Sequence, residues 1–198
     1  MKRIFTHLTA AVALLALLVP IGVWGQTRDQ YSYTFTAKVF DANNQTQSLD
    51  GVEWTFSGTG GNYFGYDGTK GQQFGSGSSS FSSFTLSTSG ITGTISQIKV
   101  NTRGANSIVG TLNVTVGENA FGNSYTLTST ATEVTFNGSA TGAIAFNYAQ
   151  TSTKAIYIKS ISITYSTDGH TTYTLTSAVD PTGTGTVSLS KTSLEPKL

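Results

Sequence analysis

From Tyr31 to Tyr165 the apolar residues of this chain recur at every second position, and that period admits strands and excludes helices. In the first such stretch Tyr31, Tyr33, Phe35, Ala37 and Val39 alternate with Ser32, Thr34, Thr36 and Lys38. Side chains of a strand point alternately to opposite faces, so this pattern gives one buried and one wetted face. The same alternation returns in Leu112/Val114/Val116, Tyr125/Leu127, Val134/Phe136 and Ile144/Phe146/Tyr148. No stretch downstream of residue 25 reads as a three-turn amphipathic helix. The chain holds 34 Thr, 24 Ser and 22 Gly against 3 Pro and 11% charged residues, a composition suited to strands and turns. The expected class is all-β, an antiparallel β-sandwich.

Two strands change phase. Ile95 and Ile98/Val100 lie on opposite parities, as do Ile156/Ile158 and Ile161/Ile163/Tyr165. A slip of one residue sends every later side chain to the other face, so an unbroken strand buries only one of the two sets. Bulges near Ser96-Gln97 and Lys159-Ser160 restore the register; the alternative is a strand covered on both faces at one end. Asn137-Gly138 predicts a hairpin turn leading into the strand Ala140–Tyr148, and Asp50-Gly51 and Asp67-Gly68 predict tight turns. Residues 58–83 form a Gly/Ser/aromatic tract, which reads either as a flexible loop or as an aromatic-bearing binding loop at one end of the sandwich.

Residues 1–25 have the order of a secretory signal peptide. Lys2 and Arg3 precede the apolar run Leu8–Val19, Pro20 and Gly22 break any helix, and Val23-Trp24-Gly25 offers a cleavage site before Gln26. The apolar run is shorter than the roughly 20 residues of a spanning helix. An N-terminal membrane helix is the alternative reading. Without a Cys after the cleavage region, a lipid-anchored form is excluded. The expectation is a secreted or cell-surface protein with no membrane span after cleavage. Cleaved, the chain carries nine basic and ten acidic residues. That balance offers no basic face for nucleic acid and no polybasic strip for a membrane. Cysteine is absent, which removes disulfides, thiol catalysis and Cys-based zinc sites. A boundary is expected at Ser166–His170. The strand-like Tyr173–Thr176 and Thr186–Leu189 beyond it have too few apolar side chains for a core of their own. The predicted organisation is a signal peptide at 1–25, a β-sandwich at 26–166 and, at 167–198, a linker with a short β extension that is either the truncated start of a second β repeat domain or an extended appendage.

The strands Tyr31-Ser-Tyr-Thr-Phe35, Val52-Glu-Trp-Thr-Phe56, Ile98-Lys-Val-Asn-Thr102 and Gly110–Gly117 carry a family likeness, completed by the closing strand Ala155–Tyr165. Together they resemble the exported β-sandwich modules of gut Bacteroidetes-type bacteria, similar in outline to galactose-binding-like jelly rolls. Tyr173–Thr176 and Gly183–Ser190 resemble the first strands of bacterial surface repeats related to internalin B-repeats. The Gly-Tyr-x-Phe and Trp segment with which such repeats continue does not follow before Leu198. The resemblance implies a cell-surface or secreted binding or adhesion module, and supplies no sugar-site motif.

Catalytic groups are few. His170, the one histidine after residue 25, lies in the expected linker, which leaves no credible Ser-His-Asp set. A two-carboxylate glycosidase would have to draw on Asp41, Asp50, Glu53, Asp67, Glu118 and Glu133, which fall in turns or on polar strand phases. No cofactor is expected and no metal ligands are assigned. For a structural calcium ion, Asp41 with Asn43 and Asn44 is a weak cluster, and turn formation is the better account of it. The aromatics point furthest, because sugars present apolar C–H faces that stack on rings while polar side chains take the hydroxyls. The candidate ligand-binding residues are Trp54, Tyr63, Phe64, Tyr66 and Arg103. Trp54 reads equally as a core residue alternating with Phe56, and Arg103 as a solvated side chain. The expectation is a non-catalytic module that binds carbohydrate or a surface glycan. The alternatives are a structural or adhesive module without a small ligand and, less favoured, the glycosidase.

Overall fold

The computed structural model describes residues 27–167; the expected signal peptide and, past Thr167, the expected C-terminal extension lie outside the described residues. Thirteen strands make up two sheets, and no helix occurs among the described residues. The first sheet holds β1 (Thr27–Thr34), β4 (Phe64–Asp67), β5 (Gly71–Phe74), β7 (Thr94–Gly104), β11 (Thr132–Ala140) and β13 (Ile156–Thr167). The second holds β2 (Gln45–Leu49), β3 (Val52–Thr59), β6 (Ser83–Thr88), β8 (Gly110–Val116), β9 (Asn119–Ala120), β10 (Tyr125–Thr126) and β12 (Ile144–Gln150). All pairings are antiparallel. β6, β7 and β8 lie alternately in the two sheets, as do β11, β12 and β13, which is the winding of a jelly roll. The all-β sandwich expected from the alternation is therefore the observed fold.

Two partners share one edge of β13. β1 pairs along Ser160–Thr167, and β5 pairs along Ile156–Ile158. The other edge pairs throughout with β7. The handover falls at Lys159, whose carbonyl accepts a 2.9 Å hydrogen bond from Phe35 N as the first strand leaves the sheet. It is also where the pairing of β13 with β7 slips, since Ile158 opposes Thr102 and Ser160 opposes Asn101. A second slip leaves Ser96 between the partners of Thr164 and Tyr165. Both phase changes in the sequence are thus bulges, and Ile156, Ile158, Ile161 and Ile163 all face the core.

The core is aromatic where β3, β5 and β6 meet. Phe56 of the second sheet stacks on Phe74 of the first, with centroids 4.9 Å apart and planes 4° from parallel. Phe84 lies 4.9 Å from Phe74 and stacks at 4.6 Å on Tyr148. Polar tips inside find partners. The Tyr31 hydroxyl donates to Leu49 O at 2.9 Å and accepts from Trp54 Nε1 at 3.1 Å. Burial pushes the Tyr31 phenol up to about 12, and that of fully buried Tyr148 up as well. Gln72 points inward from β5 with no exposure; its Oε1 accepts from Val39 N (2.7 Å) and Phe40 N (3.1 Å), and its Nε2 donates to Phe40 O and Gly65 O. It stitches the irregular segment after β1 to the β4–β5 ribbon.

The turns divide. Asp50 and Gly51 both have positive φ (48° and 82°), which fits a two-residue hairpin of type I′ between β2 and β3, as expected. Asp67-Gly68 also opens a turn, closed by Lys70 N on Asp67 O at 3.1 Å. It ends at Gly71 (φ 91°), where a Cβ would run into the carbonyl of Ile158. The hairpin expected at Asn137-Gly138 is corrected. These residues lie inside β11, which passes the Ser96 bulge between Asn137 and Ala140, and β12 belongs to the opposite sheet. A glycine is required there by packing: a Cβ on Gly138 would come 2.6 Å from the Phe121 ring.

Candidate functional site

The aromatics expected to form one platform are dispersed by strand parity and burial. Trp54, on β3, is fully buried between Tyr31 and Phe146, with centroids at 6.1 and 5.7 Å. Phe64, on β4, is 9% exposed and packs edge-on against Phe56, Phe74 and Phe81. Neither offers a face to a ligand, which corrects their assignment as binding residues. Tyr63 and Tyr66 are 44% and 37% exposed. Tyr66 shares the parity of Phe64 at the rim of the inner face. Tyr63 has the opposite parity, and its ring lies over Gly65, 3.1 Å from where a Cβ would stand. The two tyrosines therefore face opposite sides of β4 and form no common platform.

The Gly/Ser tract is also more ordered than a flexible loop. β4 and β5 arise within it. The run 75–80 is tied down by Gly75 N to Tyr63 O (2.8 Å), Ser76 N to Ser79 O (3.0 Å) and Ser79 Oγ to Asn62 Oδ1 (2.7 Å). Asp41, Asn43 and Asn44 serve as turn and loop anchors. Asp41 Oδ1 accepts from Gln45 Nε2, Asn43 holds both N and O of Gly58, and Asn44 Oδ1 accepts from Ser57 Oγ.

Arg103 lies on the outer face of β7 near its end. Directly opposite it on β13 is Tyr157, and directly opposite Tyr157 on the other side is Gln73 of β5, which in turn opposes Gly65 of β4. Arg103, Tyr157, Gln73 and the Tyr63 ring over Gly65 thus form one row across the outer face of the first sheet. At a strand spacing of about 4.8 Å, the two tyrosines stand about 10 Å apart. Beside Tyr157 opens a cleft of about 490 Å³, whose lining includes Lys70, Gln73, Arg103, Asn106, Lys154 and Tyr157 but not Tyr63.

Its walls are held by backbone and buried side chains. Thr102 Oγ1 donates to Tyr157 O at 2.8 Å and accepts from the Tyr148 hydroxyl at 3.2 Å, which locks β13 beneath the tyrosine. Gln150 donates to Phe81 O and Lys154 O, both at 2.8 Å, and accepts from Lys154 N, fixing the loop that carries Lys154. Ala105 N donates to Ala155 O at 2.9 Å, closing the side near Asn106.

The Lys70 ammonium bonds Asp67 Oδ2 at 2.8 Å and stands 5.1 Å above the Tyr157 ring centroid. Asp67 also accepts from Thr69 N and Oγ1. The Lys70 bond first, and those from Thr69 next, hold its carboxyl well below the ordinary range. The same bond raises Lys70, against desolvation and, less, against the charge of the Arg103 guanidinium. Arg103 itself spends only Nε, on Gly104 O at 3.4 Å, and makes no ion pair among the described residues. The arrangement offers an aromatic ring, amide and guanidinium donors and three cations. No aspartate or glutamate is among the residues that line the cleft.

Tyr157 is the residue sequence reasoning missed. The signal was present: in Ile156-Tyr157-Ile158 an aromatic occupies the wetted phase of a strand whose other phase is the core. Lys70 and Lys154 carry no such signal, since loop lysines are ordinarily solvated.

No family model matches the chain, and no curated protein matches it. Among solved structures it is similar to a variant of CBM29-2, a family 29 carbohydrate-binding module, at 10% identity over 79% of this chain and 100% of that one, with a TM-score of 0.38. It is similar to the CBM36-1 domain of a multidomain xylanase from the hindgut metagenome of Trinervitermes trinervoides, at 11% identity over 68% and 96%, with a TM-score of 0.38. It is also similar to a family two carbohydrate esterase from Cellvibrio japonicus, at 12% identity over 70% of this chain, with a TM-score of 0.36; the chain spans about a third (34%) of that protein's length. At this identity and superposition the likeness assigns no residue of this chain.

Proposed function

We propose that this chain is an exported, non-catalytic carbohydrate-binding module, and that it holds sugar on the outer face of its first sheet around Tyr157. The observation that carries the reading is the row Arg103–Tyr157–Gln73–Tyr63. An aromatic ring kept out of the core lies between two polar side chains, and a second ring stands about 10 Å away. A pyranose places its C–H face against a ring and its hydroxyls toward fixed donors and acceptors at the ring's edge. Arg103 and Asn106 stand on one side of Tyr157 for that purpose and Gln73 on the other. The two-tyrosine span suits consecutive sugars of a chain better than a lone monosaccharide. The outer face of the second sheet lacks this chemistry, because Ser57, Thr85, Asn147 and Asn113 oppose one another across it without an exposed ring. Export rests on the signal-like order of residues 1–25.

The test is a polysaccharide panel in affinity electrophoresis, followed by calorimetry on whatever is retained. Tyr157→Ala should weaken binding by about 1–3 kcal/mol, the loss of a contact anchor, with the unfolding midpoint nearly unchanged. Retention of every ligand by Tyr157→Ala refutes the placement. A panel on which no glycan binds refutes the function and leaves the structural or adhesive module.

A further inference from the structure

We propose that the ligand of this cleft is an acidic polysaccharide, one bearing carboxylate or sulfate groups that the unpaired cations of the cleft recognise. The inference rests on the carbohydrate reading above and narrows it to a chemical class. Residues 27–167 carry seven basic and seven acidic side chains, so the fold as a whole is neutral. Three of those seven basic side chains, Lys70, Arg103 and Lys154, nonetheless line this one cleft, and no carboxylate does. Asp67, the acid beside it, is committed to Lys70. Arg103 and Lys154 have no ion-pair partner among the described residues. The guanidinium of Arg103 keeps its terminal N–H groups uncommitted, the fork that takes a carboxylate or sulfate in two parallel bonds. Lys154 is held in place by the Gln150 clamp on its backbone, so its ammonium is presented from a fixed loop.

The experiment uses matched polymers and the full chain. Polygalacturonate, alginate and hyaluronan are each compared with their carboxyl-reduced neutral counterparts, and dextran sulfate with dextran. At least one acidic polymer should bind about tenfold or more tighter than its neutral twin, and the preference should fall steeply as salt shortens the screening length below about 10 Å. Carboxylate and sulfate arms identify which anion is read, and either supports the proposal. Arg103→Gln with Lys154→Gln should cost about a hundredfold toward the acidic polymer, equivalent to about 2.7 kcal/mol. The same double variant should leave the melting curve unchanged. Equal binding of acidic and neutral twins, or full binding by the double variant, overturns the proposal and leaves the carbohydrate reading standing. Binding of no polymer, acidic or neutral, overturns both. Equally tight capture of single-stranded DNA or polyphosphate also overturns it, since the patch would then be reading charge without sugar.

Discussion

Gln72→Leu is the most demanding perturbation this structure offers, because it keeps the shape of a core side chain and deletes a complete set of hydrogen bonds. Gln72 has no exposure, and five backbone groups bond to it: Val39 N, Phe40 N, Phe40 O, Gly65 O and, at 3.3 Å, Gln73 O. A buried backbone group left without a partner costs about 1–3 kcal/mol. Phe40 is itself fully buried, so both its groups bear that cost. Val39 is half-buried and Gly65 lies on the edge strand β4, so water reaches them and their share is small. The leucine side chain returns about 1–2 kcal/mol of apolar burial. The net expectation is a loss of about 1–4 kcal/mol in urea unfolding followed by Trp54 fluorescence. The Phe40 amide should lose its protection from hydrogen exchange ahead of the rest of the core. Gln73→Leu is the control. The adjacent glutamine faces outward and donates one bond, to Gly75 O at 2.8 Å, so its loss should cost less than about 1 kcal/mol. If Gln72→Leu unfolds within about 1 kcal/mol of the parent, the segment 35–40 finds its partners elsewhere and the stitch is not structural.

Tyr63→Ala should weaken glycan binding by less than Tyr157→Ala, and Tyr66→Ala should leave it unchanged, because Tyr66 lies on the opposite face of β4; calorimetry on the three variants checks the order. Gly138→Ala drives a methyl into the Phe121 ring and should cost about 1–3 kcal/mol in thermal unfolding. Trp54→Ala removes a fully buried ring and should cost about 3–5 kcal/mol, and loss of glycan binding without loss of stability would contradict its place in the core. In alkali the folded Tyr31 phenol titrates at about 12 against about 10 when unfolded, so its contribution is complete below pH about 10. It is lost as pH rises toward about 12, by up to about 2.7 kcal/mol. Tyrosinate absorbance should therefore rise together with unfolding, and Tyr31→Phe should flatten that pH dependence.

How far the sequence could be read depended on whether a feature is local. Alternation is a property of consecutive residues, so the all-β class, the buried phases of β12 and β13 and the Asp50-Gly51 hairpin were all legible from it. So were the bulges at Ser96 and Lys159, because a phase change in one strand demands an extra residue whichever strand lies beside it. The partner of a strand is a different matter. Asn137-Gly138 has the chemistry of a hairpin turn and becomes a bulge in β11 because β12 crosses to the other sheet, and its glycine answers to Phe121, seventeen positions away. Trp54 and Phe64 look alike in sequence to rings that bind sugar; only the closing of the second sheet over the first buries them. Tyr63 and Tyr66 are neighbours along the chain and are parted by the pleat of β4. Arg103, Tyr157 and Gln73 are scattered along the chain and come into one row only through the registers of β7, β13 and β5. Short-range sterics and the water–core division along each strand settle which residues extend and which face turns inward, whereas a site assembled across strands exists only once the sheets have chosen their partners.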